Sequence, residues 1–547
     1  MHALLRAINL PRKVHDRWLL SKAKHRSLRG HPRMARRLAP FVPMYEFSGD
    51  DFFAADDAPP EVAGNRRAGF ERLARNIAAN KPVTVADSRS LASSVSDVAF
   101  TAAYRVPFQF RSRVREHLEP GCLLAASRGV EVQDLDGNWA YDVAGSYGVN
   151  LFGNDFYRRC IERGSRTAAE LGPVLGSYHP VVGDVVRRLL AIAGQDEVSF
   201  HMSGTEAVMQ AARLARYHTR RSHLVRFCGA YHGWWDGVQA GPGNPRPAHE
   251  VYTLQELSET TLRVLQRRND IACVLINPLQ ALHPNAGAPT DSALVAGRRA
   301  SPCSKADYTA WLHRLRDVCT ERGIAFIMDE VFLGFRLARG GAQEYFDVRA
   351  DLVTYGKTLG GGLPLGVLCG SARWMRRFRD DRPTDICFAR GTFNSHPYVL
   401  GAMHEFLQHL DEPEVCAAYA SVDQIWDERA RRLNQMLEKL DVPVRVSNLT
   451  SVWSVLYPRP GRYHWMFQYY LRDHGIAPSW IGTGRFIFSH AYSDADFDAF
   501  CERFVAAARD MQADGWWWSG PELTDKWIKR RILRETLRAA VTHKRAR

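Results

Sequence analysis

The 547-residue chain contains no apolar run of eighteen residues, so no segment is long enough to cross a bilayer as a helix. Its ten cysteines are scattered singly, with no C-x-x-C pair and no metal-ligand spacing. That pattern excludes a disulfide framework and a zinc motif, predicts no metal, and suits free thiols in a reducing, cytoplasmic setting. A dinucleotide fingerprint is also missing, because the third glycine that Gly241-Pro-Gly243 would need is Arg246. Acid is what the two ends lack. Residues 1–40 hold eleven Lys/Arg against the single acid Asp16, and residues 520–547 hold nine against three, which leaves −2 of the net +14 for residues 41–519. Basicity confined to the ends argues against a nucleic-acid-binding body. Both ends mix Leu, Ile and Trp with their cations, which suits a membrane surface or an acidic carrier protein.

What is present is globular: 46% apolar and 24% charged residues, in a chain long enough for more than one domain. Residues 1–100 read as a basic N-terminal extension without chemistry, carrying a helix over 63–80. Residues 129–142 read as strand, Asp-Gly-Asn turn and strand, hence a hairpin. From Val181 to Gly370 short apolar runs alternate with helical stretches, the rhythm of a mostly parallel sheet covered by helices. The expected architecture is α/β. Residues 101–180 and 401–515 form the two parts of a smaller α+β domain, 181–400 the large domain, and 516–547 a basic helix docked on its own protein. The Gly/Ala/Ser/Pro-rich stretch 286–305 reads as a surface insertion.

The chemistry concentrates around Lys357, in Tyr-Gly-Lys-Thr-Leu-Gly-Gly-Gly-Leu-Pro, and around Asp329-Glu330, which follow the buried-strand pattern Ile324–Met328. A carboxylate directly after five apolar residues needs a partner. A pyridinium N–H is one, and a salt bridge, for instance with Arg336, is the structural alternative. A nearby lysine can hold an aldehyde cofactor as a Schiff base while the acid keeps a pyridine nitrogen protonated. Burial beside a cationic cofactor would lower the pKa of that lysine. Upstream, Met202-Ser203-Gly204-Thr205-Glu206-Ala207 opens a helix with the Ser-x-x-Glu spacing of a capping box, and its free amides and dipole form a phosphate seat. Tyr231-His232-Gly233 follows a strand closely, where an aromatic can stack on a planar ring, and Val331 can pack on the opposite face. Each signal alone is common in ordinary proteins. Together they predict a pyridoxal 5′-phosphate enzyme.

These residues carry a resemblance. Phe200–Val208, Tyr231–Gly233, Asp329–Arg336, Gly340–Phe346 and Ala350–Pro364 resemble the class III pyridoxal-phosphate aminotransferases, including glutamate-1-semialdehyde aminomutase and the aminotransferase domains of polyketide and peptide synthases. The likeness spans roughly residues 105–515. It implies fold type I, an aspartate-aminotransferase-like homodimer with active sites at the subunit interface. It further implies that Lys357 is the Schiff-base lysine and proton shuttle and that Asp329 pairs with the pyridine nitrogen. Ser203, Gly204 and Thr205, with Tyr231, His232 and Val331, would hold the cofactor, and Thr392 would reach the phosphate of the neighbouring subunit. Ser146 and Tyr147 match the family's Ser-Trp near the substrate. Two departures stand out: Asn277 replaces a glutamate near the cofactor, and His396-Pro397 replaces Asn-Pro. The expected activity is amino transfer from an amino-acid donor to an aldehyde or ketone acceptor, carrier-bound in a specialised pathway. An aminomutase acting on a semialdehyde, or a binding protein with a decayed fold, are the alternatives.

Overall fold

The computed structural model describes residues 12–26, 31–239, 241, 243–244, 246, 249–283, 285, 303–479 and 485–545. Most of the expected insertion at 286–305 lies outside these residues. The chain divides into two compact units, one built from residues up to Ala39 together with stretches within Cys160–Gly287 and Pro302–Tyr419, the other from Pro40–Arg159 and Ala420–Arg547. The boundaries thus fall after 159 and 419 rather than at the expected 180/181 and 400/401. The physical reason at the second boundary is packing: the helix Pro397–His409 lies on Lys357–Gly360 and on the helix Val182–Ala193, so it belongs with them. The 1–100 extension is also divided, its first part joining the first unit and the rest the second.

The first unit is organised by a seven-stranded sheet. Its strands are β1 (Glu197–His201), β2 (His223–Phe227), β3 (Val251–Leu254), β4 (Ile271–Ile276), β5 (Ala325–Asp329), β6 (Leu352–Gly356) and β7 (Gly366–Gly370), in the order β1-β7-β6-β5-β4-β2-β3. Only β7 runs antiparallel to its neighbours. Strands β4 to β7 are buried at every position, which is why they read as unbroken apolar runs rather than alternations. Helices cross between the parallel strands. Helix α1 (Gly204–Thr219) follows β1, α2 (Lys305–Arg322) precedes β5, and α3 is Pro397–His409. Helix α2 shows how local chemistry sets its length. Ser304 Oγ accepts the Asp307 amide at its start, and Gly323 at φ 57 takes the left-handed position that ends it. Ile324 then turns back into the core and starts the run to Asp329.

The second unit contains the expected hairpin, Glu131–Asp134 and Trp139–Asp142, within a four-stranded sheet, and a three-stranded antiparallel sheet of Arg445–Leu449, Val452–Leu456 and Arg485–Ile487. Aromatic side chains dominate its core, with Trp426, Trp453, Trp465 and Trp516 fully buried among phenylalanines. The helix predicted over 63–80 runs from Pro60 to Asn80. The C-terminal helix Asp525–Arg545 docks on this unit through Ile528, through Glu535 to Arg462 (2.7 Å), and through Arg531 to Asp57 (3.0 Å).

Candidate active site

Parallel pairing sets the geometry of the chemical residues. Strands β5 and β6 align Ile327 with Leu352, Met328 with Val353 and Asp329 with Thr354. Asp329 therefore closes β5 at the rim where β6 ends at Gly356 and the chain turns into Lys357. In open parallel sheets ligands bind at this carboxyl rim.

Asp329 is only 2% exposed, and its carboxylate is fully engaged. Oδ1 accepts from the Val331 amide at 3.1 Å and the Thr354 hydroxyl at 3.2 Å, while His232 Nδ1 lies 2.8 Å from Oδ2. Burial holds the His232 imidazole below its usual pKa, with Asp329 opposing that shift. The neutral ring donates its Nδ1–H to the carboxylate, and its buried Nε2 has no hydrogen-bond partner among the described residues. His232 thus orients the acid, a role that the Tyr-His-Gly motif alone did not reveal. Glu330 faces away, accepting the amides of Ala342 (2.5 Å) and Gln343 (3.0 Å), with burial pushing its carboxyl up to about 8. Of the acidic pair, only Asp329 belongs to the site.

Lys357 follows the extended Gly356 with φ 47, a left-handed conformation costing roughly 1–2 kcal/mol for a residue with a Cβ. The strain directs its amine inward, 5.7 Å from the Phe332 ring centroid. Burial lowers the amine pKa; Asp329 is close enough to oppose the shift and Arg336 to add to it. A lysine depressed in this way carries more of the neutral amine that attacks a carbonyl.

The residues expected to hold phosphate lie at the start of α1. Ser203 Oγ accepts the Glu206 amide at 3.3 Å, but the Glu206 carboxylate returns to the amide of Met202 (3.0 Å) instead of Ser203, so the predicted capping box is displaced by one residue. Three glycines keep the seat clear. A Cβ on Gly204 would meet Val331 Cγ1 at 2.5 Å, one on Gly233 would meet Thr205 Oγ1 at 2.5 Å, and one on Gly366 would meet Ser203 O at 2.0 Å. These contacts bring Ser203, Gly204, Thr205, Val331 and the Tyr231–Gly233 turn together. Tyr231 is 61% exposed, an uncovered ring beside the buried His232. Asn277 caps the turn after β4, accepting from the Leu279 amide (3.1 Å) and donating to Tyr231 O (3.5 Å). His396, the other departure, caps α3 through Nδ1 to the Tyr398 amide (3.3 Å), which an asparagine would also do. Thr392 is exposed on the first unit.

In the second unit Ser146 and Tyr147 sit in a strained loop, with Gly145, Ser146, Tyr147 and Gly148 all at positive φ. Sequence reading missed what holds it. One oxygen of buried Asp142 accepts the amides of Ala144 (2.8 Å) and Gly145 (3.0 Å), and Gly145 is pressed so closely on Ile487 that a Cβ would lie 2.4 Å from its carbonyl. Asp142→Ala is expected to raise KM for the amino substrate about tenfold or more, with a smaller change in kcat, and Asp142→Asn, which keeps the accepting oxygen, to restore most of it. Steady-state kinetics of both variants check this.

Arg105 was also missed, since nothing in its local sequence marks it. It is 8% exposed, yet Nε and Nη1 have no partner among the described residues. Arg472, which donates through Nη2 to Pro478 O (2.7 Å), is lowered to about 9 by burial and then by Arg105. Both guanidinium groups act on the Tyr147 phenol. The carboxylate of Glu119 also acts on Arg472 and opposes the lowering, so the two buried guanidinium groups have an acid nearby.

Among the described residues no cluster of His, Cys, Asp and Glu fits a metal, and no helix is long and apolar enough to cross a membrane. Residues 113–508 match the family Aminotransferase class-III. The chain is 31% identical over 390 residues to the glutamate-1-semialdehyde 2,1-aminomutase of Nitratidesulfovibrio vulgaris, covering 68% of this chain and 88% of that protein. The corresponding enzyme of Methanococcus maripaludis is 30% identical over 346 residues, 59% of this chain and 73% of the relative. Among solved structures, a β-phenylalanine aminotransferase from Variovorax paradoxus superposes with a TM-score of 0.66 at 21% identity, over 82% of this chain and 98% of that one. A glutamate-1-semialdehyde aminomutase from Pseudomonas aeruginosa gives 0.65 at 18%, over 82% and 99%.

A sheet of six parallel strands and one antiparallel strand, with an acid and a lysine at its carboxyl rim, defines a pyridoxal-phosphate enzyme of fold type I. The chain belongs to the class III aminotransferases, the pyridoxal-phosphate-dependent transaminases of that fold. Its residues fit the cofactor: the amine of Lys357 with its lowered pKa, the oriented carboxylate of Asp329 and the side-chain-free cradle at Gly204, Gly233 and Gly366 are each what it needs.

Proposed function

We propose that the protein is an aminotransferase carrying an amino group from an amino-acid donor to an aldehyde or ketone acceptor. The observation that carries this is the joined set Lys357, Asp329 and His232 at one sheet rim. Pyridoxal phosphate, when bound, supplies the electron sink that makes the donor's Cα proton acidic. Asp329, held by His232, keeps the pyridine nitrogen protonated. Lys357 would hold the cofactor's aldehyde carbon, and its amine would move the proton to and from the donor's Cα. Ser203, Gly204 and Thr205 hold the phosphate, Tyr231 and Val331 flank the ring, and Ser146, Tyr147 and Asn277 contact substrate.

The remaining assignments extend the same reading. A homodimer places Thr392 against the neighbour's cofactor. Exposed Tyr178, Phe388 and Phe393 support such a face, because Arg390 ties their loops together by donating to Gly176 O at 3.3 Å. An acidic carrier protein presenting the acceptor suits the basic N-terminus, and the cytoplasm suits ten free thiols. The aminomutase reading is favoured by the names of the relatives at about 30% identity. Asn277 weighs against it, having no carboxylate and serving as a turn cap.

A screen of amino donors and carbonyl acceptors, read by bleaching of the yellow holoenzyme, tests the reading. An amino-acid donor is expected to bleach it and a carbonyl acceptor to restore the colour, whereas Lys357→Ala should show neither change. Conversion of glutamate-1-semialdehyde to 5-aminolevulinate without an external donor would instead establish the mutase.

A further inference from the structure

A cavity of about 490 Å³ lies at the free edge of the seven-stranded sheet, between the N-terminal segment and edge strand β3. Lys24, His31, Arg33, Arg37 and His249 line it, and no Asp or Glu does among the described residues. Its other walls are apolar, with Leu20, Met34, Leu38 and Val251. The cationic groups are positioned by the fold. Arg33 Nη2 is 2.8 Å from His249 Nδ1, Arg36 donates to Arg246 O at 3.0 Å, and the Gln255 amide at the end of β3 donates to Ala23 O at 2.8 Å.

Elsewhere on this edge, cations meet acids, as Arg267 meets Asp16 and Arg268 meets Asp270. Within the cavity they meet each other. Burial and then Arg33 hold the Lys24 amine below the usual lysine range, and burial, Lys24 and His25 do the same to His31. This arrangement costs stability that a bound anion would return. Covering an edge strand explains the apolar packing but not the concentration of like charge, since an uncharged strap would cover it as well.

We propose that this cavity binds a phosphomonoester attached to an apolar chain. Lys24, Arg33 and Arg37 contribute three formal positive charges, which match a dianionic head better than a carboxylate. Phosphate also presents enough oxygens for two guanidinium forks and an ammonium. The apolar wall takes the chain. The site is separate from the catalytic rim, because β3 and β5 are three strand spacings apart, on the order of 14 Å. It does not depend on which amino-transfer reaction the enzyme performs.

The test uses full-length protein loaded with pyridoxal phosphate, so that the catalytic phosphate seat is filled. Hexyl phosphate, hexyl sulfate and inorganic phosphate are titrated calorimetrically, and vesicles containing phosphatidic acid are assayed by co-sedimentation. Hexyl phosphate is expected to bind one per chain, at least tenfold tighter than either control, without changing the visible spectrum of the cofactor. The exposed-residue double variant Arg33→Ala/Arg37→Ala, and separately Lys24→Met, should weaken it at least tenfold. Binding of hexyl phosphate alone identifies a free or tethered ester as the source. Vesicle binding lost in the same variants identifies a lipid headgroup. No saturable binding of either, or binding that the variants leave intact, would overturn the proposal.

Discussion

Lys357→Ala abolishes turnover while leaving the protein folded. The expected loss is about 10⁴-fold or more, because one side chain both tethers the cofactor and shuttles the proton, and general acid–base transfer alone contributes 10²–10⁴. The variant should still take up pyridoxal phosphate through Ser203–Thr205, but borohydride reduction should fix no label. In the wild type the label should fall on the single tryptic peptide containing Lys357. A second consequence concerns the cofactor-free protein. Burial lowers the pKa of Lys357, so between that lowered value and the ordinary 10.5 the folded state binds fewer protons there than the unfolded chain. Wild-type stability therefore gains from this group as pH rises toward the ordinary lysine value of 10.5, and the alanine variant lacks that gain. Melting temperatures of both cofactor-free proteins at pH 7 and pH 9.5 check the sign. Label on another lysine, or on none, would refute the assignment.

Asp329→Asn is the second large effect, expected to lower kcat by about 10²–10³ with little change in melting temperature. The substitution is nearly isosteric. The Asn oxygen can still accept from Val331 and Thr354, and His232 can change tautomer to accept from the new amide. What vanishes is the negative charge that keeps the pyridine nitrogen protonated. Preorganised charge of this kind typically carries 10²–10³ in rate. His232→Ala should give a smaller loss of the same type, since the carboxylate remains but is no longer oriented. Activity of Asp329→Asn close to wild type would contradict the role given to this residue, whatever the substrate proves to be.

Most of the first unit was legible in the chain because buried parallel strands need apolar residues at every position, and β4 to β6 supply them. Asp329 and Lys357 stood out in the chain for a related reason. An acid ending such a run, and a lysine within a glycine-rich turn, break local rules in a way that only chemistry or pairing explains. Other parts were hidden. Asp142, Arg105 and Arg472 gain their meaning from what surrounds them, and no local pattern records that two arginines will be buried close to one another. The displaced cap at Glu206 was hidden too, since spacing permits both amides and only backbone geometry selects one.

Residue order alone pointed to the buried strands of the first unit and to Lys357, Asp329 and Gly204, because these depend on short-range periodicity and on the intrinsic chemistry of each side chain. Tertiary structure alone decided that His232 serves Asp329, that Asn277 and His396 act as caps, and that the basic N-terminus closes a cationic cavity on the edge of the sheet. Those outcomes depend on which distant segments share a low-dielectric environment. Folding brings them together, and sequence separation carries no measure of it.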